Sequence, residues 1–335
     1  MVVERQLAEA LAAWGLAAQG GERLAGDVSH RRYYRLTGLG PSSVVAMVSP
    51  LEETNKMADW VLIGQHLAHH GVAVPATLRR YDPAAVLLIS DVGDTLLTAV
   101  PAPEACYQRV IEDLRRVELA AASEPSDCSP AHGRRLDEIR IRWELRRFRK
   151  VVAAPVRDLT DDELVTWKEA EDTLVRLLTG GPQSWMHRDL HARNLLLQEE
   201  RIWWIDFQDA MIGPWLYDLA SLLYDPYAAL GPELRGRLRE RYLSEVQRVH
   251  REVSASEIGC QWEAVAIQRL VHCVACYVWV AEHHGKDLYL KYLPYALARL
   301  RELIETAPLA GPLRRVLASR WEAIEARWSH DAVAC

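Results

Sequence analysis

The chain has 335 residues, 50% of them hydrophobic and 26% charged, enough to bury a large core in one or two domains. A net charge of −6 gives no general attraction for nucleic acid, although an acidic chain still binds phosphates where a few cations and a metal gather. Six cysteines (Cys106, Cys128, Cys260, Cys273, Cys276 and Cys335) are too few and too irregular for a disulfide framework. The opening MVVERQLAEALAAWG carries early charges and no apolar stretch with a cleavage site, and no apolar run approaches the ~20 residues of a membrane span. The expectation is a cytoplasmic protein with no nucleic-acid and no membrane partner; its oligomeric state is not legible.

In chain order, Leu7, Leu11 and Trp14 recur at helical spacing and stop at Gly15, so an amphipathic helix opens the chain. GDVSHRRYYRLTG (26–38) and SSVVAMVSP (42–50) are rich in strand formers and bounded by Gly or Pro, which predicts paired antiparallel strands. NKMADWVLIGQHLAHHG (55–71) follows as a helix, and VAVPATLRRYDPAAVLLISDVGD (72–94) returns to two short strands about an Asp82-Pro83 turn. From Pro103 the pattern is almost entirely helical, interrupted by a loop insertion at 123–134 and by the segment Trp185–Ala210. The expected organisation is a sheet-rich part over 1–89, a hinge over 90–94 and a mainly helical part over 95–335.

Between Arg140 and Lys150, RIRWELRRFRK carries Arg140, Arg142, Arg146, Arg147, Arg149 and Lys150, with Arg135 just upstream. A solvated helix face is the expectation, and a patch for phosphate or an acidic substrate is the alternative. HCVAC holds a Cys-x-x-Cys pair after His272, yet a zinc site needs two more ligands at matching spacing, so Cys273 and Cys276 are expected to be small core residues. Trp262, Tyr277, Trp279, Tyr289, Tyr292 and Tyr295 belong mostly to a core, with some free to wall a sugar-binding cleft.

The segment WMHRDLHARNLLLQEERIWWIDFQDA is where chemistry concentrates. SWMH and RIWWIDF have the apolar character of short buried strands, and RDLHARN between them forms a tight loop presenting Asp189 and Asn194, with Asp206 at the end of the second strand. Phosphoryl transfer needs positioned phosphates, magnesium to offset charge and a carboxylate that accepts the attacking hydroxyl's proton. Asp189 as base, with Asn194 and Asp206 as magnesium ligands, meets that need. A buried polar turn without catalysis would not recruit so many costly polar groups.

HRDLHARN resembles the His-x-Asp-x-x-x-x-Asn catalytic loop of the protein-kinase-like fold, and IDF, with Asp206 twelve residues after Asn194, resembles its metal-binding segment. QDAMIGPWLYDLASLLYD is similar to the aminoglycoside-phosphotransferase branch of that fold. GDVSHRRYYRL, IDFQDA, GPWLYDLASLLYD and HHGKDLYLKYLP, in this order from Gly26 to Pro294, together resemble the bacterial anomeric N-acetylmuramate/N-acetylglucosamine kinases.

That resemblance implies an α+β, bilobal protein-kinase-like fold and an ATP- and Mg2+-dependent kinase acting on the C1 hydroxyl of a small-molecule amino sugar, in cell-wall sugar recycling. It implies that GDVSHRRYYR covers the phosphates, with Ser29, His30, Arg31 and Arg32 near ATP. Adenine would lie against Val44, Ala46 and Leu88 and bond the backbone of Ser90 and Val92. SSVVAMVSP lacks the lysine that a protein kinase carries on this strand, the nearest being Lys56, so Arg31 or Arg32 is expected to supply the charge; they alternate along a strand, and one faces the cleft. Arg193 and Asp209 are expected near substrate, with His187 and Asp218 bracing the loop. His283-His284 stands where an Arg-Asp pair is expected, which bears on substrate identity. An aminoglycoside phosphotransferase is the alternative enzyme, for which Asp209, Asp218 and Asp225 are the acids on offer after Asp206. A nucleotide-binding pseudokinase is the alternative of another class, opposed by the intact Asp189, Asn194 and Asp206.

Overall fold

The computed structural model describes residues 2–24, 30–101, 103–121, 128–249 and 251–328. Its elements run α1 (Val2–Ala13), β1 (Gly20–Arg23), β2 (Arg32–Thr37), β3 (Val44–Val48), α2 (Thr54–His69), β4 (Thr77–Tyr81), β5 (Val86–Ser90), α3 (Glu104–Ala121), α4 (Glu138–Phe148) and α5 (Asp161–Gly180). They continue as β6 (Gln183–Met186), β7 (Leu195–Gln198), β8 (Arg201–Trp204), β9 (Met211–Pro214), α6 (Tyr217–Leu223), α7 (Pro232–Val249), α8 (Ala255–His284), α9 (Leu293–Thr306), α10 (Gly311–Leu317) and α11 (Trp321–Arg327). Packing divides the chain into two compact units: 1–133 with 193–210, and 134–192 with 211–335. The chain therefore changes unit between Ala192 and Arg193, inside the loop expected to be catalytic.

The first unit is built on an antiparallel sheet ordered β1-β2-β3-β5-β4. Its central strands, VVAMV and VLLIS, are apolar at nearly every position because both faces are covered. Strand parity decides which face each residue joins. Leu36, Ala46 and Leu88 form one buried cluster, with Ala46 directly opposite Leu88 in register. Leu7 and Leu11 of α1, with Trp14 just past its end, pack onto that cluster together with Val44. The Gln6 amide ties the helix down by donating to the carbonyls of Ser49 (3.0 Å) and Ala84 (2.7 Å).

In the same unit β7 and β8 form an antiparallel hairpin, Leu195 opposite Trp204. Trp60 of α2 packs against Phe207 with ring centres 5.0 Å apart and planes tilted by 31°. A Cβ on Gly64 would come within 3.2 Å of the Phe207 ring, so this approach of helix to ring wants glycine. The sequence led to SWMH and RIWWIDF as strands about one loop, with LLLQ and MIGP left out. The structure pairs β8 with its neighbour β7 across a two-residue turn, and β6 with β9 further along the chain, Trp185 opposite Ile212.

The second unit is helical around α8. Thirty residues long and apolar, α8 passes by length and composition for a membrane span, yet 72% of its most apolar window is buried inside the protein. It is a core helix, and its apolar stretch is longer than the sequence reading allowed. Both α5 and α8 begin with a capping box, Thr160 with Glu163 and Ser254 with Glu257, each worth about 1 kcal/mol. Gly285 ends α8 in the left-handed conformation at φ +58°, the usual stop for a helix. After α4 the backbone passes through a π-helical turn over Arg149–Ala153.

Candidate active site

In the second unit Asp189 follows β6 by three residues. The turn is held from behind by Asp218 on α6: its buried carboxylate accepts the backbone N–H groups of His187 and of Arg188 (3.0 Å). His187 is fully buried, and its Nδ1 accepts the Asp189 N–H at 3.3 Å. Arg188 takes a left-handed φ of +78°, which costs a side-chain-bearing residue energy and persists where surroundings fix it. Further along, the Asp225 carboxylate accepts the N–H groups of Ala192 and Tyr227, both at 2.8 Å. His191 lies edge-on to the Tyr227 ring at 4.9 Å.

The Asp189 carboxylate is bound by Arg269 of α8: Nη1 donates to Oδ1 at 2.8 Å and to the Arg188 carbonyl at 3.2 Å. Arg269 is 6% exposed at its side chain and Asp189 38%, so the acid stays open to a ligand while its anchor is sealed. Burial would raise the Asp189 carboxyl, but Arg269 and then Arg188, with His191 and His272, outweigh it and hold the group well below the usual carboxylate range. Asp218 goes the other way. Burial pushes it up to about 7, against its two N–H bonds and the charge of Arg269, with the charge of Asp189 adding to the rise.

Beneath the loop lies a buried polar network. Arg188 donates to Glu144 of α4 at 2.5 Å, Gln268 donates to the other Glu144 oxygen, and His272 Nδ1 stands 3.4 Å from Glu144. Glu144 is 1% exposed. Burial would raise it, yet the charges of His272 and Arg188 bring it below its ordinary value. Removing one partner from such a buried pair typically costs about 3–5 kcal/mol.

The first unit carries the other candidates. The β7–β8 hairpin brings Asn194, just before β7, beside the end of β8, where the Ile205 N–H donates to the Asn194 carbonyl at 3.0 Å. Asp206 follows with φ +61° and its carboxylate 47% exposed; Gln208 Nε2 donates to its Oδ1 at 2.9 Å. Arg31, only 5% exposed, places its guanidinium 3.8 Å from Asp206 and 3.5 Å from Glu53. Arg32 instead turns onto its own backbone, donating to the carbonyls of His30 and Arg31. Among the described residues no group of three or more His, Cys, Asp or Glu is arranged as a metal cage. Magnesium needs only one or two such oxygens beside phosphate and water, and the all-oxygen pair of Asn194 and Asp206 fits that demand.

Of the remaining expected nucleotide contacts, Ser29 lies outside the described residues and His30 is exposed. Val44, Ala46 and Leu88 belong to the face covered by α1, and this corrects the expectation that they wall adenine. The opposite parity holds Val45, Met47, Leu87 and Ile89. Ser90 Oγ accepts the Ala76 N–H at 2.9 Å, and Val92 is buried. Arg193 is half-buried in the 3-10 turn before β7, and Asp209 is exposed, accepting from Gln208 at 3.3 Å.

Sequence reasoning missed Arg269, Glu144, Gln268 and Asp225 as supports of the loop. A signal existed for Arg269, a lone cation within the apolar run AVAIQRLVHCVACYVWV, since buried charges require partners. The brace of the 90–94 segment was also missed: Arg35 and Ser43 bind Asp91 at 2.6 and 2.7 Å, and the Gly93 N–H donates to Asp91 at 3.0 Å.

Comparison with known proteins bears on the family and the fold. The Phosphotransferase enzyme family matches residues 20–254. An N-acetylmuramate/N-acetylglucosamine kinase of Neisseria meningitidis is 31% identical over 304 residues, covering 88% of either chain. Among solved structures, a choline/ethanolamine kinase family protein from Mesorhizobium loti superposes with a TM-score of 0.64 at 18% identity, over 94% of this chain and 99% of that one. The GDP complex of an aminoglycoside 2'-phosphotransferase-IIIa gives 0.62 at 15% identity, over 90% and 98%. These likenesses establish a kinase-like fold, with its antiparallel sheet and mainly helical C-terminal part.

Proposed function

Because the chain belongs to the phosphotransferase enzyme family, we propose that it transfers the γ-phosphoryl group of ATP to the C1 hydroxyl of an amino sugar of the N-acetylmuramate/N-acetylglucosamine type. The observation that carries the reading is the Asp189 carboxylate: open to a ligand, ionised, and aimed by Arg269. Held by Arg269 at Oδ1, the Asp189 carboxylate would orient the acceptor hydroxyl and take its proton. A carboxylate held this far down is a weak base. It suits a loose transition state in which the proton leaves only as the new bond to phosphorus forms.

A C1 hydroxyl suits such a base, because the ring oxygen withdraws charge and makes it more acidic than the other sugar hydroxyls. Asn194 and Asp206 would hold magnesium, which when bound offsets charge on the phosphates. Arg31, buried beside Asp206, takes the part of the absent strand lysine. Val45 and Ile89, on the face opposite α1, are the better apolar wall for adenine, with the hinge over 90–94 and the lobes on either side kept as functional divisions. The chemistry separates the anomeric reading from any other hydroxyl. An N-acetyl sugar with a free reducing end should turn over in a coupled ATP assay and its methyl glycoside should not. Comparable phosphorylation of the glycoside would move the transfer elsewhere on the ring, and turnover of aminoglycosides alone would move the enzyme to another acceptor class.

A further inference from the structure

Along α8, Arg269, His272, Cys276, Trp279 and His283 recur at steps of three and four residues, so they share one stripe of the helix. Glu144 and Arg147 on α4, with Val151 in the π-helical turn, follow the same steps. Glu144 meets Gln268 and His272, while Arg147 meets Cys276 and Trp279, so the two helices run side by side in the same direction. The catalytic-loop contacts lie at the start of this seam, where Arg188 reaches Glu144 and Asp189 reaches Arg269. At its far end a cavity of about 410 Å³ opens, lined by Trp143, Arg146, Arg147, Lys150, Trp279 and His283.

The cavity is cationic and walled by indole rings. The Arg147 guanidinium lies 4.4 Å from the ring centre of Trp279 and 5.1 Å from that of Trp143. Rings on the faces of a guanidinium leave its N–H edge for a planar anion. The Arg147 Nε is buried without a hydrogen-bond partner, and Nη1 has only a long contact of 3.7 Å to the Cys276 sulfur. Its neighbours in the cationic run are differently placed: Arg142 is paired with Glu138 and Asp172, and Arg146 with Glu171. The π-helical turn that delivers Lys150 and Val151 is a rare backbone form that recurs at functional sites. His283, one of the two residues that depart from the resembled family's pattern, stacks on Trp279 at 4.9 Å and 17°.

We propose that this cavity receives a carboxylate-bearing arm of the amino-sugar acceptor, with Arg147 as its bidentate partner and Lys150 adding charge. The assignment rests on the acceptor class proposed above. Arg269, which holds Asp189, and Cys276, which meets Arg147, stand seven residues apart on α8, a rise of about 10 Å along the helix. A pyranose with an ether-linked acid, hydrogen-bonded at about 2.8 Å to Asp189 at one end and Arg147 at the other, spans a length of that order. Arg147 is then the residue that lets the enzyme distinguish an acidic amino sugar from a neutral one.

The test is the ratio of kcat/KM for N-acetylmuramate to that for N-acetylglucosamine, measured for wild type, Arg147→Gln and Arg147→Lys, with calorimetric binding of both sugars in parallel. In Arg147→Gln the ratio should shift about tenfold against the acid, the loss expected of one charge-assisted pair. Arg147→Lys, which keeps the charge but not the fork, should recover part of it. A ratio within twofold of wild type, or an equal loss of affinity for both sugars, would overturn the assignment, the second outcome marking a purely structural arginine. Absence of wild-type turnover with either sugar would overturn the acceptor class and this subsite together; the wild-type measurement tells that failure apart from one confined to Arg147.

Discussion

Replacing Arg269 by Met isolates the interaction on which the proposed mechanism turns. Methionine retains the length and apolar body of the side chain, so α8 keeps its packing while Asp189 loses its 2.8 Å partner. A hydrogen bond between charged groups contributes about 1.5–3 kcal/mol. Asp189 is 38% exposed, so solvent screening reduces this to about 1–2 kcal/mol, a loss of roughly 5- to 30-fold in kcat/KM. The pH profile gives a second reading. In wild type the folded-state value of Asp189 is depressed, so this group's stabilising contribution is present above the ordinary carboxylate value and is lost only as pH falls through the depressed one. Without Arg269 the burial that favours the neutral acid is less opposed, and the acidic limb of kcat/KM should move to higher pH. Coupled ATP turnover against pH, with calorimetry to confirm an intact fold, measures both effects. A folded Arg269→Met enzyme with wild-type turnover and an unmoved acidic limb would refute the anchoring of Asp189 by Arg269.

Asp189→Asn should retain the fold and ATP affinity and lower kcat by roughly 10²–10⁴, the range for a positioned proton acceptor; single-turnover rates at wild-type level would take Asp189 out of the chemistry. Arg31→Gln should raise the KM for ATP and lower kcat together, whereas Arg32→Gln should stay near wild type, because Arg32 is occupied with its own backbone carbonyls. Equal behaviour of the two variants in ATP titrations would leave Arg31 without the part given to it.

The sequence by itself determined the order of sheet and helix, the spacing of Asp189, Asn194 and Asp206, and the caps of α5 and α8. Each of these is written in short-range terms: apolar periodicity, a fixed number of residues between functional groups, or Ser or Thr three residues before Glu. Tertiary structure decided what depends on parity or on residues far apart in the chain. Whether Ala46 faces α1 or the opposite side of its sheet follows from strand register and the placement of α1, and an apolar run such as VVAMV, buried on both faces, carries no alternation from which to read it. The cations of RIRWELRRFRK look alike in sequence, yet Arg142 is spent on Glu138 and Asp172 while Arg147 is turned into a tryptophan-walled cavity by helix α8, over 120 residues away. Arg269 and Glu144 likewise stand in sequence as a charge in an apolar helix and an acid in a basic one. Only folding shows that they hold up the same loop, because a buried charge is tolerable solely where the fold brings it a partner.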